Sequence, residues 1–400
     1  MPHTAQPRTR IALLGAGHIG HTIAHLLAAC GDYQVTVMDR NPAALARLQR
    51  TGDALGIQTL QVDTEDSAAL LAALRAGVAS KAGASSQQTV GQRTVGQQIV
   101  VNALPYHLAV ATATAAQAAG CHYFDLTEDV AATQAIQQLA ASASPGAATA
   151  FMPQCGLAPG FIGIVAHHLA QRFEVLHDVK MRVGALPAFP TNALKYNLTW
   201  SVDGLINEYC HPCEAIRDGQ RLDLLPLEGL EHFSLDGTEY EAFNTSGGLG
   251  TLCATLAGRV RTLDYKSVRY PGHQALMKML LEDLQLKDNP ELLKDILRKS
   301  VPGTMQDVVL VFVTVSGLRQ GQLVQEVFAR KIFADRSETA PLSAIQITTA
   351  AGICAAVDLF CTGALPQSGF IRQEQVALPA FLVNRFGSAY QQSRQVESIG

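Results

Sequence analysis

The run Gly15-Ala16-Gly17-His18-Ile19-Gly20 combines residue types suited to one task, holding a pyrophosphate against the start of a helix. In a G-x-G-x-x-G turn the first glycine allows the tight bend, the second lets the backbone approach the phosphates, and the third lets helix and strand pack closely. The helix N-terminus adds unpaired N–H groups and a partial positive charge. Gly15, Gly17, His18, Ile19 and Gly20 are therefore candidates for a dinucleotide site. Asp39 ends the next apolar run, where its carboxylate can accept bonds from the adenosine ribose hydroxyls, which points to NAD. Arg40 beside it suits a 2'-phosphate, so NADP stays open. Asp63 closes a third apolar run and either lies near the adenine or simply caps a strand end.

Three further segments carry polar groups just after apolar runs, where parallel sheets bind ligands. They are Asn102-Ala103-Leu104-Pro105-Tyr106-His107, Asp125-Leu126-Thr127-Glu128 and Gln154-Cys155-Gly156-Leu157-Ala158-Pro159-Gly160. Asn102, Ala103 and Leu104 are candidates for the nicotinamide side of the cofactor, and Cys155 for the substrate side; turn-forming and packing roles are the alternatives. Farther along, Asp264, Lys266, Arg269 and His273 form a dense polar group. Arg269 is the residue best shaped to hold a substrate carboxylate by a two-pronged hydrogen bond, unless the group is an outward-facing salt-bridge cluster. No metal site is expected: Cys210-His211-Pro212-Cys213 lacks a second ligand pair, and His18, His21 and His25 lie on the nucleotide helix.

The elements that must position these residues are legible as periodic patterns. Apolar runs at 11–14, 34–39, 56–62, 98–103, 121–126 and 148–152 alternate with helical segments, one of them opened by Asn41 as cap and Pro42 as first residue. That rhythm predicts an α/β fold with a Rossmann doubly wound parallel sheet. A Gly/Ser/Gln stretch at 75–97 reads as an exposed loop. Longer alternating strands at 178–184, 261–270, 307–316 and 322–333 predict an inserted α+β mixed-sheet substrate domain. The expected division is 1–172 for nucleotide binding, 173–340 for the substrate, and 341–400 helical and returning to the first domain, with Pro341 near its helix start. The apolar stretch at 345–365 is broken by Gln346, Thr348, Thr349 and Asp358 and reads as a buried helix.

Composition bounds the function class. The chain has 400 residues, 48% of them hydrophobic, enough for two cores, and a formal charge of -4 with no basic stripe. A small-molecule partner is expected, with no nucleic acid and no membrane. Eight cysteines without framework spacing and a short polar start suggest a cytoplasmic protein with reduced thiols.

Taken together the motifs resemble those of the saccharopine dehydrogenase family, and within it the lysine 6-dehydrogenases. The likeness rests on the glycine turn, on 102–106 and 155–160, and on three later stretches. These are Tyr196-Asn197 through Trp200–Leu205 to Ile216–Gly219, then Ala242–Gly248, then Leu263–His273. The resemblance implies an inserted substrate domain, a homodimer, and NAD(P)-dependent oxidation at the ε-carbon of L-lysine or of saccharopine, both giving aminoadipate semialdehyde. Glutamate-forming saccharopine enzymes usually carry Asp before the Pro-Gly of the third segment, whereas Ala158 here matches lysine 6-dehydrogenases. Cys210, Cys213 and the stretch at 75–97 depart from the family pattern.

In such a reaction Tyr106, Asp125 and Glu128 are the candidates for proton handling, with Tyr196, Ser246 and Arg269 placing the amino-acid substrate. The alternatives are reductive formation of another secondary amine, carboxynorspermidine-like or opine-like, and a nucleotide-sensing Rossmann protein without turnover.

Overall fold

In the computed structural model, residues 8–79, 98–142, 149–335 and 341–391 are described, so most of the loop expected at 75–97 lies outside the described residues. The chain divides into two units. The first comprises the described parts of Met1–Gly156 with Thr349–Val376 and Val383–Gly387, and the second those of Leu157–Thr348, Ala377–Leu382 and Ser388–Gly400.

The apolar runs of the first unit become β1 (Thr9–Leu14), β2 (Tyr33–Asp39), β3 (Gln58–Gln61), β4 (Ile99–Asn102), β5 (His122–Asp125) and β6 (Ala150–Met152). With the short strand Gly369–Phe370 they form one sheet in the order Gly369–Phe370, β6, β5, β4, β1, β2, β3, and every pairing is parallel. The order reverses beside β1, which places the glycine turn at the switch point where such sheets bind ligands. Ile11, Leu13, Val100, Val101, Tyr123, Phe124 and Phe151 are buried, as expected of strands covered on both faces. Asn41 caps the helix Pro42–Gly52, its side chain accepting from the N–H of Ala43 at 3.0 Å and of Ala44 at 3.3 Å.

The second unit holds β7 (Val175–Pro187), β8 (Cys213–Arg217), β9 (Gln220–Leu224), β10 (Glu231–Leu235), β11 (Thr238–Asn244), β12 (Val260–Arg269), β13 (Asp307–Arg319) and β14 (Gln322–Phe333). Its sheet runs β10, β11, β12, β7, β13, β14, with β8 on β12 and β9 on β8. Only β12 and β7 pair in parallel, so the sheet is mixed. The strands β8 to β11 and the helix Val202–Cys210 fill the interval between the expected strands.

Pro341 does not open the last long helix, which runs Ala344–Cys361. Its start is fixed by a carboxylate from another strand: Asp307 accepts from the N–H of Ala344 at 2.5 Å and of Ile345 at 3.0 Å. Ser343 and Gln346 close a reciprocal box, Gln346 N–H to Ser343 Oγ at 3.2 Å and Ser343 N–H to Gln346 Oε1 at 3.0 Å. The helix is long and apolar enough to cross a membrane, yet 89% of it is buried inside the protein, where it behaves as a core helix.

Asp358, a polar break in that apolar stretch, ties the first unit's last segments to its sheet. Its buried carboxylate accepts from Tyr33 Oη at 2.6 Å and Asn384 Nδ2 at 2.7 Å and pairs with Arg385, which also reaches Asp32 at 2.6 Å. Asp358→Ala would take this acceptor from the Tyr33 hydroxyl and from the Arg385 guanidinium, which keeps Asp32, at a cost of about 3 kcal/mol. Urea denaturation should show a lower midpoint for the first unit; an unchanged midpoint would show that the clasp contributes nothing.

Candidate active site

The three glycines of the turn do different work. Gly15 has φ +102°, a region that favours glycine, and a Cβ there would sit 3.0 Å from Ala103 O. A Cβ on Gly20 would lie 2.0 Å from Gly15 O, so this position sets how closely the helix His18–Ala29 approaches the turn. Gly17 has φ -70° and a Cβ on it would meet nothing within 4 Å. The fold does not need glycine at 17, and the open space beside it is the cradle a pyrophosphate requires. Cofactor and chain fit at this point. His18 is exposed and opens the helix, and Ile19 is half-buried.

Asp39 ends β2 as expected, with its carboxylate turned into the loop: Oδ2 accepts from Ala16 N–H at 2.6 Å and Oδ1 from Asn41 N–H at 2.7 Å. Arg40 lies against Glu65 at 2.6 Å, both side chains more than half exposed. Asp63 accepts from Glu65 N–H at 3.0 Å, the local cap of a strand end.

The later segments of the first unit are held by a buried polar network. Asn102 donates to Thr112 Oγ1 at 3.0 Å and Tyr123 Oη at 2.9 Å and accepts from Leu104 N–H at 3.1 Å. Asp125 Oδ1 accepts from the N–H of Thr127 at 3.0 Å and Gln154 at 2.9 Å, and Oδ2 from Tyr123 Oη at 2.9 Å. Burial pushes its carboxyl up to about 6, against the pull of those donors. A carboxylate so occupied joins the loops after β5 and β6; it has the geometry of a positioning residue. Gln154, held by that bond, has φ +66°, a strained conformation for a residue with a side chain. Cys155 is also occupied: its thiol donates to Met152 O at 3.1 Å, receives Gln373 Nε2 at 3.2 Å, and is kept protonated by burial. Ala103 and Leu104 line the turn beside Gly15, while Tyr106 and Glu128 are half-buried and closer to solvent than Asp125.

In the second unit, strand alternation divides the polar group of 264–273. Asp264 and Lys266 share one face of β12 and join a buried ion network. Asp264 pairs with Arg182 at 2.6 Å and Arg217 at 2.7 Å, and Lys266 with Glu231 at 2.9 Å, which also binds Arg182. Burial works against the Asp264 charge, but Arg182 and Arg217 outweigh it and hold the carboxyl below its ordinary range. This network is internal rather than the outward-facing cluster considered from sequence. Arg269 falls on the opposite face with Tyr265 and Ser267.

Arg269 is 3% exposed, and no Asp or Glu among the described residues forms an ion pair with it. Its Nε donates to Tyr209 Oη at 2.9 Å and its Nη1 to Val268 O at 2.8 Å. The guanidinium lies 5.1 Å from the Tyr196 ring centre and 5.7 Å from that of Tyr209. Burial opposes its charge, while Tyr209, Tyr196 and Glu208 favour it, and it stays protonated. In the segment that carries Tyr196, the side-chain atoms Tyr196 Oη, Asn197 Oδ1 and Thr199 Oγ1 are buried without a hydrogen-bond partner, as is Asn244 Oδ1 on β11. Ser246 is committed to the fold through Pro212 O at 2.9 Å and, by its N–H, Glu208 O at 2.9 Å. Sequence reasoning missed Tyr209, although it sits in the same quoted family stretch between 205 and 216. Among the described residues, no group of three or more His, Cys, Asp or Glu could hold a metal ion.

The glycine contrast is testable. Gly17→Ala should keep the wild-type melting temperature and lose dinucleotide affinity by about 100-fold, because the methyl group occupies phosphate space. Gly20→Ala should lower the melting temperature itself, since its Cβ meets backbone. Calorimetry with NAD and NADP reads both, and a Gly17→Ala protein that binds normally would refute the placement of the phosphates.

Two family models match the chain, the saccharopine dehydrogenase NADP binding domain over residues 11–151 and the saccharopine dehydrogenase C-terminal domain over 156–386. Among solved structures, the chain is similar to apo saccharopine dehydrogenase (L-Glu forming) from Saccharomyces cerevisiae, with TM-score 0.71 and 16% identity over 93% of this chain and 96% of that one. More distant likenesses include the DAP dehydrogenase of C. glutamicum in complex with DAP, with TM-score 0.45 and 12% identity over 94% and 96% of the two chains. Another is a myo-inositol dehydrogenase from Corynebacterium glutamicum, with TM-score 0.40 and 14% identity over 96% and 97%. With a dinucleotide cradle in its first unit and both family models spanning nearly all of its length, the chain is an NAD(P)-binding oxidoreductase that belongs to the saccharopine dehydrogenase family.

Proposed function

We propose that the protein oxidises the ε C–N bond of a lysine-type amino acid, L-lysine or saccharopine, giving aminoadipate semialdehyde and ammonia or glutamate. The observation that carries this reading is the buried Arg269, which forms no ion pair with an Asp or Glu among the described residues, beside Tyr196, whose Oη is buried without a hydrogen-bond partner. The Glu208 charge favours this guanidinium without forming an ion pair with it, so the fork is open to a second anion, and an amino acid's α-carboxylate has the planar two-oxygen shape that complements it. Ala158, matching the lysine 6-dehydrogenase pattern, inclines the choice toward lysine.

A bound nicotinamide supplies hydride transfer. The residues of the chain must make the substrate nitrogen ready for it. A lysine ammonium with pKa ~10.4 is neutral about once in a thousand at pH 7.4, so its proton has to be removed before a C=N bond can form. Tyr106 and Glu128 serve that step; Asp125 holds Gln154 and the loop that carries Glu128 in place, and Asn102 holds the start of the loop that carries Tyr106. As a hydrogen leaves the ε-carbon with both electrons of its C–H bond, the nitrogen lone pair closes the C=N bond. Water then adds to the carbon, the C–N bond breaks, and ammonia or glutamate departs with the proton it gained. Tyr196 stacks against Arg269 and keeps the carboxylate anchor flat.

NAD is the proposed cofactor. Asp39, Asp63, Glu65 and Asp66 crowd the turn after β2 and β3, and the one arginine there, Arg40, is engaged by Glu65. A 2'-phosphate would meet net negative charge.

Incubation with NAD or NADP and a panel of L-lysine, saccharopine, ornithine and carboxynorspermidine, followed by absorbance of the reduced cofactor, tests the assignment. Reduction with lysine or saccharopine is expected, with kcat/KM rising as pH approaches the amine's pKa; no reduction with any of the four overturns the reading. Arg269→Met should raise KM for the amino acid about 100-fold, the scale of a charge-assisted pair worth ~3 kcal/mol. Its melting temperature should hold or rise, because a buried unpaired charge is replaced by an apolar chain of similar length. For the cofactor, kcat/KM should favour NAD over NADP, and Glu65→Gln should narrow the gap by about 10-fold as it frees Arg40 and removes one negative charge. An unchanged ratio would show that Glu65 takes no part in cofactor choice.

A further inference from the structure

An arginine presents five N–H groups on a rigid planar fork, and the fork grips a carboxylate only if one pair of them faces it squarely. In Arg269 the Nε–H and one Nη1–H are spent on Tyr209 Oη and Val268 O, and the remaining three find no acceptor among the described residues. What decides their direction is whatever fixes the plane and its rotation. Tyr196 lies against the fork and restricts tilt, but a ring face cannot stop the guanidinium turning in its own plane. The bonds from Nη1 to Val268 O and from Nε to Tyr209 Oη can, and of these two the second is the one made to a side chain.

Tyr209 is itself held in one hydrogen-bonding state. Its hydroxyl lies 3.1 Å from His273 Nε2, and His273 Nδ1 lies 2.9 Å from Leu194 O. A carbonyl oxygen only accepts, so Nδ1 carries the ring proton and Nε2 offers a lone pair. Tyr209 therefore donates to His273, which leaves its oxygen lone pairs for Arg269. Every bond in the chain points one way, from Arg269 through Tyr209 and His273 to the backbone of Leu194. Burial first, then the Arg269 charge, holds His273 down at about 3, so the ring stays neutral at ordinary pH. Phe243 lies parallel to the imidazole at 6.2 Å and Tyr196 packs at 5.3 Å, fixing the ring plane.

We propose that Tyr209 and His273 are positioning residues for substrate recognition: they lock the rotation of the Arg269 guanidinium so that its Nη1 and Nη2 edge faces a substrate carboxylate. The proposal rests on the reading of Arg269 as the carboxylate anchor. Neither residue touches substrate; each acts through Arg269. The design explains why a fully buried histidine with a strongly lowered pKa is present at a place where an apolar residue would pack as well. It also accounts for the order Arg269, Tyr270, Pro271, Gly272, His273, in which the strand end and the next helix start deliver both members to one tyrosine.

The two ring nitrogens of His273 can be tested separately. A glutamine side chain places its amide oxygen near the Nε2 position and preserves the acceptor for Tyr209, whereas an asparagine places its amide nitrogen near Nδ1 and keeps only the Leu194 bond. Calorimetric titration of the full-length protein with L-lysine and with saccharopine, in the presence of NAD, is the measurement. Tyr209→Phe and His273→Asn should each weaken binding by about 10-fold, while His273→Gln stays within about 3-fold of wild type and all three bind NAD normally. A purely packing role predicts that Asn and Gln rank by melting temperature alone. Wild-type affinity in Tyr209→Phe, or equal losses in His273→Gln and His273→Asn when both are folded, would overturn the proposal. If His273→Asn fails to fold, Tyr209→Phe, which removes one oxygen and keeps the ring, decides the matter alone. Arg269→Met separates the two readings: if it binds like wild type, or if neither amino acid binds the wild type, the anchor reading falls and this inference with it. If it weakens binding and Tyr209→Phe does not, only the positioning role is lost.

Discussion

A side chain on a β-strand can serve only one face of the sheet, and on β12 that constraint separates charges used by the fold from a charge left over. Residues 264 and 266 project to the face where Arg182, Arg217 and Glu231 wait, and there each carboxylate has a cation within 3 Å. Arg269, five residues after Asp264, projects to the other face and meets tyrosines instead. Burying a paired charge is tolerable when its partners are well placed, while burying one without a counter-ion costs several kcal/mol. At Arg269 the fold supplies no ion pair and instead surrounds the guanidinium with π faces and a hydroxyl, with the Glu208 charge acting from beyond ion-pair contact, which soften the penalty without closing the fork. A site that binds an anion is the natural outcome of that imbalance.

The first unit follows the opposite rule. Its carboxylates and amides at strand ends are almost all turned inward onto backbone N–H groups: Asp39 onto Ala16 and Asn41, Asp125 onto Thr127 and Gln154, Asn102 onto Leu104. Loops that leave a parallel sheet have no neighbouring strand to satisfy their N–H groups, and short polar side chains at the strand ends do it instead. The phosphates can then be met by backbone alone, at Gly17, the one of the turn's three glycines where a Cβ would meet no neighbour. Rigidity comes from the carboxylates, and room comes from the glycine.

How much of this was legible in the sequence depended on the range of the interaction. The strands β1, β2, β4 and β5 follow apolar runs because both faces are covered, and the Asn41-Pro42 start follows from contacts two and three residues away. The hairpins β8–β9 and β10–β11 were not read, because in each a short strand with no buried residue, β9 or β10, carries little apolar signal and leaves its buried partner without a visible mate. Pro341 misled for a related reason: the true cap of the helix at Ala344 is Asp307, 37 residues upstream, so no local pattern could announce it. The polar group at 264–273 was seen, but its division between two sites required the register of β12 on β7 and the position of Arg182. Asp125 was recognised as important from its place after a strand, yet only the bonds to Thr127 and Gln154 show that its acceptors are occupied. A period-two count along β12 would have separated Arg269 from Asp264 in advance, and the helix start at Val202 would have made Tyr209 a candidate partner.

These two ways of spending polar groups have different consequences for stability. Where every donor has an acceptor, as around Asp125, removal of either partner only loosens the fold. Around Arg269 three guanidinium N–H groups and the Tyr196 hydroxyl remain without partners, and a buried polar group so left costs about 1–3 kcal/mol relative to a satisfied one. A ligand that supplies a carboxylate and an amine returns part of that energy on binding, which is how a protein can hold a small zwitterion tightly against its strong hydration. The same logic sets the demand for precision. Energy recovered through a planar fork is recovered only in one orientation, and a long arginine left to rotate would forfeit much of it to entropy. The neutral histidine and the tyrosine that it orients are then a requirement of the site, because they fix the one orientation in which the fork can grip an amino acid by its common end.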